Sequence, residues 1–316
     1  MNNYIDAYTI AFYNIENLFD IKKAPLTNDK DFLPTSQKRW TLKRYQNKLM
    51  KLGTVIPQIG NEDNQIAPII IGLAEVENQN VLSDLVNSKN LKEENYKFIH
   101  FDSPDERGID VALLYKPDIF KVTHSETFSV YLQNEKGEQD YTRDILLVQG
   151  ELNNDPINII VNHWSSRREG VRETEFKRIA SAKVVNSVIK KVKNENLKAK
   201  IIVMGDFNDN PNCNSMLLLE NESGLFNPFK TVWSRDNGSL SHNFQWNLFD
   251  QILFSTNFFD TSNSKLVFSD AKVFNSKFLT QLDGKYKGQP FRTFVGKKYK
   301  GGYSDHFPVF IELKPS

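Results

Sequence analysis

Cysteine is nearly absent. Cys213 is the one cysteine among 316 residues, which excludes an intrachain disulfide framework and any cysteine-rich zinc centre but leaves reducing and oxidising compartments equally open. An excess of one charge is lacking too: 40 Lys and Arg against 39 Asp and Glu leave a formal charge of +1. The whole molecule is therefore no polycation, and attraction for anions must come from local clustering. No apolar run approaches a membrane span, and the opening MNNYIDAYTIAFYN carries neither the basic region nor the apolar core of a signal peptide. These absences predict a soluble chain, cytoplasmic by default, or secreted if a leader has been removed. Low-complexity linkers and solenoid-period repeats are also lacking, and proline and glycine are scattered through turn-like positions. With 39% hydrophobic and 25% charged residues, a sizeable core is affordable, and 1–316 reads as a single domain.

What is present is strand-forming sequence. Short runs rich in β-branched and aromatic residues predict strands at Tyr8–Tyr13, Ile69–Ala74, Tyr96–Phe101, Val111–Tyr115, Ile145–Leu152, Ile157–Val161, Ile201–Met204, Ile252–Phe254 and Phe307–Leu313. Helical spacing of apolar residues predicts helices over Lys38–Ile59, Asn80–Val86 and Glu173–Val192, the last burying Phe176, Ile179, Ala180, Val184, Val188 and Ile189. The irregular alternation favours mixed sheets covered by a few helices over a strict parallel βαβ fold. Asp20–Gln37, with Pro25 and Pro34, and Gly284–Ser304 read as long surface loops. The second holds six basic residues (Lys285, Lys287, Arg292, Lys297, Lys298, Lys300) and no acidic one, interleaved with Tyr286, Phe291, Phe294, Tyr299 and Tyr303. A charge run alone is usually a solvated face, but this one leads directly into Ser304-Asp305-His306.

Polar residues interrupt the apolar runs in a consistent way. Asn14 and Glu16 follow the first strand, Glu75 and Glu77 the second, Asn162 and His163 a later one, and Asp206 and Asn208 another. Ligands and catalytic groups gather at such C-terminal strand ends, where loops are shaped and strands fix their roots. Asp250 and Asp305-His306 instead precede apolar runs, so those strands must run the opposite way if all the polar ends meet. Single residues of this kind have a plainer use: Asn14, Asp250 and Asn208 could be caps or turns, and His163 a hydrogen-bonded histidine beside a core Trp164. Glu75 is harder to dismiss, because it directly follows the apolar run PIIIGLA, where an unpaired charge is costly. Taken together, Glu75, Asp206, Asp305, Asn14 and Asn208 offer an all-oxygen donor set that suits a hard cation such as Mg²⁺, with Mn²⁺ as a substitute, and disfavours zinc. Hydrolysis of a phosphate ester needs an activated water, stabilised phosphoryl oxygens and help for the leaving oxygen. This inventory supplies all three.

The ordered motifs FYNIENLFD, LAEVEN, RGIDVALLYKPD, NHWSSR, GDFND, FDQILFS and GGYSDHFPV run from Asn14 to His306. On them the sequence resembles the endonuclease/exonuclease/phosphatase superfamily, which includes deoxyribonucleases, abasic-site endonucleases, sphingomyelinases and inositol polyphosphate 5-phosphatases. The resemblance implies an α/β four-layered sandwich, two mixed sheets packed face to face with helices on both outer sides. It also implies roles: Glu75 as principal metal ligand with Asn14 and Asp305 close by, Asp206 as the base for the attacking water, Asn208 holding that water or a phosphate oxygen, and His306 on the scissile phosphate, oriented by Asp250. His163 matches a histidine of the deoxyribonuclease and sphingomyelinase branches, and Asp110 is expected to pair with it. Arg107, Arg167, Arg168 and Arg292 are candidate phosphate clamps. Glu16 stands where several branches carry aspartate, which leaves a metal role for it in question.

The reading favoured by the sequence is a metal-dependent phosphodiesterase on nucleic acid, from His163, the basic aromatic loop, and Trp164 and Trp246 as stacking groups. A phosphatase or phospholipase on a small or lipid phosphoester is the alternative, and a scaffold that lost its chemistry is a third. No protein partner is inferable.

Overall fold

A computed structural model describes residues 6–23, 28, 30–61, 66–134, 136–262 and 264–316; Pro25 lies outside them. Along the chain run β1 (Tyr8–Leu18), α1 (Leu42–Val55), β2 (Ile70–Val76), α2 (Gln79–Val86), β3 (Lys97–His100), β4 (Asp110–Tyr115), β5 (Phe120–Phe128), the short β6 (Leu132–Gln133) and β7 (Gln139–Asp140), then β8 (Ile145–Leu152) and β9 (Asp155–His163). There follow α3 (Glu175–Glu195), β10 (Lys200–Asp206), α4 (Asn214–Ser223), β11 (Leu225–Phe226), β12 (Leu240–His242), β13 (Gln245–Asn247), β14 (Asp250–Ser255), β15 (Leu266–Val273), β16 (Phe294–Val295), β17 (Lys298–Tyr299) and β18 (Val309–Pro315). Every predicted strand is found within a residue or two at most ends, although β1 continues well past Tyr13. β5 and β15 were not anticipated; both carry polar residues on an exposed face, which hides the apolar signal.

Two six-stranded sheets result, in the orders β15-β18-β1-β2-β4-β3 and β11-β14-β10-β9-β8-β5. Each contains one central parallel pair, β1 with β2 and β10 with β9, while β18 and β14 run antiparallel to those centres. That is the reversal demanded by polar residues at the starts of the last two strands. The fold is the expected α/β sandwich with two mixed sheets inside.

Strand β10 shows how sequence builds the layers. Ile202 and Met204 belong to the core between the sheets, whereas Ile201 and Val203 pack with Val185, Val188 and Ile189 of α3 on the outside, the period of two that a strand buried on both faces requires. The sheets approach closely where Gly72 meets β10: a Cβ there would lie 2.6 Å from Met204 Sδ and 2.9 Å from Phe12. Helix α3 is rotated from its expected face. It buries Arg178, Ser181, Ala182, Val185, Val188, Ile189 and Val192, while Phe176 is 53% exposed. The reason is Arg178, whose Nε pairs with Asp209 at 2.8 Å; a buried ion pair at the helix start outranks an aromatic there. No helix among the described residues is long and apolar enough to cross a membrane.

Candidate active site

The polar strand ends meet because the register aligns them. Asn14 pairs with Ala74, the neighbour of Glu75, across the parallel β1–β2 ladder, and Asp206 faces both His163 and Asp250 in the other sheet. At this end the backbone leaves ordinary strand geometry. Glu16, Asn17, Glu75 and Asn208 all have positive φ, at 51, 54, 67 and 51°, and β1 and β2 are both bulged there. Bulges re-aim side chains, and left-handed non-glycine residues cluster where the surroundings enforce them.

Two hydrogen-bonded strings organise the site. Asn14 Nδ2 donates to Asp206 Oδ2 at 2.9 Å, and Ser304 Oγ donates to the Asn14 carbonyl at 2.7 Å, which fixes Asp305 and His306 beside β1. His306 Nδ1 lies 2.6 Å from Asp250 Oδ2. Ligand atoms of Asp206, Asp250 and His306 lie within 4.8 Å of one another, all three residues buried. Burial, and then the Asp250 carboxylate beside it, push Asp206 up to about 7. For His306 burial works against the charged form, but Asp250 outweighs it with help from Asp206 and Asp305, so the imidazolium is held well above the usual range. Asp305 stays below the usual carboxylate range in spite of burial, because His306, Arg292 and Lys48 surround it; Arg292 Nη2 donates to its Oδ2 at 2.8 Å. On the far side Glu75 Oε2 accepts the Asn17 backbone N–H at 2.8 Å, and Arg107 Nη2 lies 3.9 Å from Glu75 Oε1.

His163 belongs to the same floor but in the opposite state. Its Nε2 is 3.7 Å from Asp206 Oδ2, its Nδ1 is buried without a partner, and burial followed by the charges of Arg143 and Arg107 drives its pKa well below the usual value. The expected Asp110–His163 pair is not formed. Asp110 instead accepts from the backbone and hydroxyl of Ser103 and lies 3.2 Å from His100 Nε2. Sequence reasoning overlooked His100 because β3 brings it beside β4 only in the folded sheet. His100, Asp102 and Asp110 form a second group whose ligand atoms lie within 4.8 Å.

The four arginines separate. Arg107 and Arg292 line the site beside Glu75 and Asp305. Arg168 is exposed, and its charge is felt by His163 and Arg107. Arg167 is committed elsewhere: Nε donates to the Asn208 carbonyl at 2.6 Å, and the guanidinium pairs with Asp209 and lies 4.6 Å from the Phe249 ring. It anchors the loop that presents Asn208, whose Nδ2 donates to the Trp164 carbonyl at 3.0 Å. Trp164 is only 2% exposed and packs edge-on against Phe207, so it is core and not a stacking surface. Arg143, also overlooked, is buried and ties Asp105 to the carbonyls of His163 and Trp164.

Glu16 proves to be a latch. Its carboxylate accepts the backbone N–H groups of Thr293 and Phe294 at 2.6 and 3.2 Å, and buried Lys48 donates to Thr293 Oγ1 and the Tyr303 carbonyl at 2.7 and 2.6 Å. The stretch read as a long surface loop is therefore docked in part: Phe294 and Tyr299 pack against each other and on Trp40 and Arg44 of the α1 region. Lys285, Lys287, Lys297, Lys298 and Lys300 remain exposed.

A family model described as the endonuclease/exonuclease/phosphatase family matches residues 9–315. The chain belongs to that family. The family is one of phosphoester hydrolases, and its match supports phosphoesterase activity. No curated protein matches the sequence. Among solved structures, a family protein from Bacteroides thetaiotaomicron superposes with a TM-score of 0.61 at 17% identity, covering 98% of both chains. A mannosyl-6-phosphatase of the same organism gives 0.60 at 18% identity, over 97% of this chain and 99% of that one. TDP2 from D. rerio, complexed with a single-strand DNA product, gives 0.57 at 13% identity, over 98% and 99%. At these identities the likeness concerns the fold.

The donor set also fits the divalent metal that the family uses. Glu75, Asn14 and Asp305 offer oxygen ligands, Asp250 Oδ1 is buried without a partner, and the repulsion between Asp206 and Asp250 is what a nearby cation relieves. The trio that converges most tightly, Asp206, Asp250 and His306, is adjacent to the expected ligands and linked to them through Asn14.

Proposed function

We propose that this family member is a Mg²⁺-dependent phosphodiesterase acting on nucleic acid. The observation that carries the hydrolytic part is the convergence of the Asn14–Asp206 bond on the Asp250–His306 pair, with ligand atoms of Asp206, Asp250 and His306 within 4.8 Å of one another. In this reading Glu75, with Asn14 and Asp305, holds Mg²⁺, which when bound neutralises phosphoryl oxygens and the developing charge. Asp206 takes the proton of the attacking water, whose position Asn208 helps to fix. The water oxygen bonds to phosphorus opposite the ester oxygen, the P–O ester bond breaks, and the departing oxygen takes a proton from Nε2–H of His306. Asp250 keeps that imidazole oriented. Arg107 and Arg292 flank the phosphate.

Nucleic acid is favoured over a small phosphate by the five exposed lysines between 285 and 300, in the loop that leads to Asp305, more positive charge than a single phosphoryl group needs. The test is incubation with single- and double-stranded DNA and RNA, with Mg²⁺ or with chelator, beside a panel of sugar and lipid phosphomonoesters. Metal-dependent cleavage of a polynucleotide is expected. Turnover of the monoesters alone would transfer the assignment to a phosphatase.

A further inference from the structure

Two aromatic rings stand in solvent beside this site. The hairpin β12–β13 turns through Asn243 and Phe244, whose φ angles are 49 and 63°, the pattern of a type I′ turn. Asparagine suits the first position, but the second favours glycine, and a phenylalanine held there is strained. Phe244 is nonetheless 52% exposed, so the strain secures no core packing. Its ring stacks on that of Tyr286, with centroids 5.5 Å apart and planes 3° from parallel; Tyr286 is 44% exposed. Lys285 Nζ is 5.1 Å from one centroid and 5.7 Å from the other. The three distances make a nearly equilateral triangle, which puts the ammonium beside the pair and not at the end of the stack.

The hairpin is rooted in the catalytic floor. The backbone N–H of Phe307, next to His306, donates to the Ser239 carbonyl at 2.7 Å, the N–H of Asp250 donates to Ser239 Oγ at 3.2 Å, and Trp246 stacks on Phe307. Phe244 lies five residues on from Ser239, at most about 17 Å of extended chain, and two before Trp246, about 7 Å.

We infer that Phe244 and Tyr286, flanked by Lys285, form a stacking subsite for a nucleobase of a single strand whose scissile phosphate lies at His306. A third ring extends a parallel pair without rearrangement, stacking tolerates any base, and the ammonium beside the stack meets the strand's phosphate. The absence of acidic residues from 284 to 304 suits an anionic occupant. The inference rests on the nucleic-acid reading above.

Steady-state kinetics on a fluorescein-labelled single-stranded DNA oligomer, on bis(p-nitrophenyl) phosphate and on mannose 6-phosphate test it, with Phe244→Ala, Phe244→Gly and Tyr286→Ala. Each variant is expected to raise KM for the oligomer about tenfold, the loss of one base stack, with kcat and turnover of bis(p-nitrophenyl) phosphate unchanged. Phe244→Gly separates binding from folding, since it relieves the turn and should melt no lower than the parent. Unchanged KM for an oligomer that the parent cleaves would overturn the subsite and leave the nuclease reading standing. A KM rise confined to mannose 6-phosphate, or dissociation of a dimer on substitution, would assign the rings to a sugar or to a second copy of the chain. A parent that cleaves no nucleic acid removes the nuclease reading itself.

Discussion

The carboxylate of Glu16 accepts the backbone N–H of Thr293 at 2.6 Å across 277 residues of sequence. One side chain at the bulge of β1 thereby holds the loop that carries Arg292 and leads to Asp305. The extra methylene relative to aspartate is used for reach toward that loop, and the carboxylate oxygens are occupied by Thr293 and Phe294.

Glu16→Ala is therefore expected to behave as a stability variant. Charge-assisted hydrogen bonds are lost and buried Lys48 loses the strongest of its neighbouring anions, with Asp305 and Glu75 left to offset its charge, which together cost about 3 kcal/mol. Urea denaturation reads this directly. Glu16→Ala combined with Lys48→Met should recover part of the loss, because the less compensated charge goes too. A variant of parental stability with a weakened Mg²⁺ response would instead make Glu16 a metal ligand.

Asp206→Asn removes the proposed base while keeping the hydrogen bond with Asn14 available. A drop in kcat of about 10²–10⁴-fold is expected, with the fold intact by circular dichroism. Chelation of the parent should abolish turnover, and Mg²⁺ or Mn²⁺ should restore it; full activity in chelator would remove the metal from the mechanism.

Asp110 offers a sharper contrast, because sequence and structure give it different partners. Paired with Ser103 and His100, it braces the loop before β4 and touches no reacting group. Asp110→Asn should cost about 1–3 kcal/mol of stability and change kcat only a few-fold. A loss of kcat as large as that of Asp206→Asn would restore it to the catalytic set.

The contrast indicates which parts of the site could be read in advance. Asp206, Asp250 and His306 each adjoin an apolar run, and a strand's direction fixes which end its polar neighbour occupies, so their convergence followed from sequence once both sheets were taken as mixed. Partners could not be read that way. His100 is ten residues from Asp110 yet meets it only because β3 and β4 are paired antiparallel, and Arg167 looks like a phosphate ligand until Asp209 is found beside it. The Phe176 face of α3 failed for the same reason: helical periodicity registers apolar residues and is blind to Arg178, which a distant aspartate draws inside.

Asp250→Asn separates activity from stability at one atom. Asp250 is fully buried, one of its oxygens has no partner, and its charge adds to burial in raising the pKa of Asp206. Removing the charge relieves that repulsion but also weakens the buried bond to His306, so the two effects offset and metal-free stability should shift by no more than about 1 kcal/mol. The same change deprives His306 of the carboxylate that orients its ring, and kcat should fall about 100-fold or more. Thermal melting in chelator and steady-state kinetics in Mg²⁺ measure the two effects independently. If both fall together, Asp250 is a structural residue that happens to touch His306; if only activity falls, the pair exists for the chemistry.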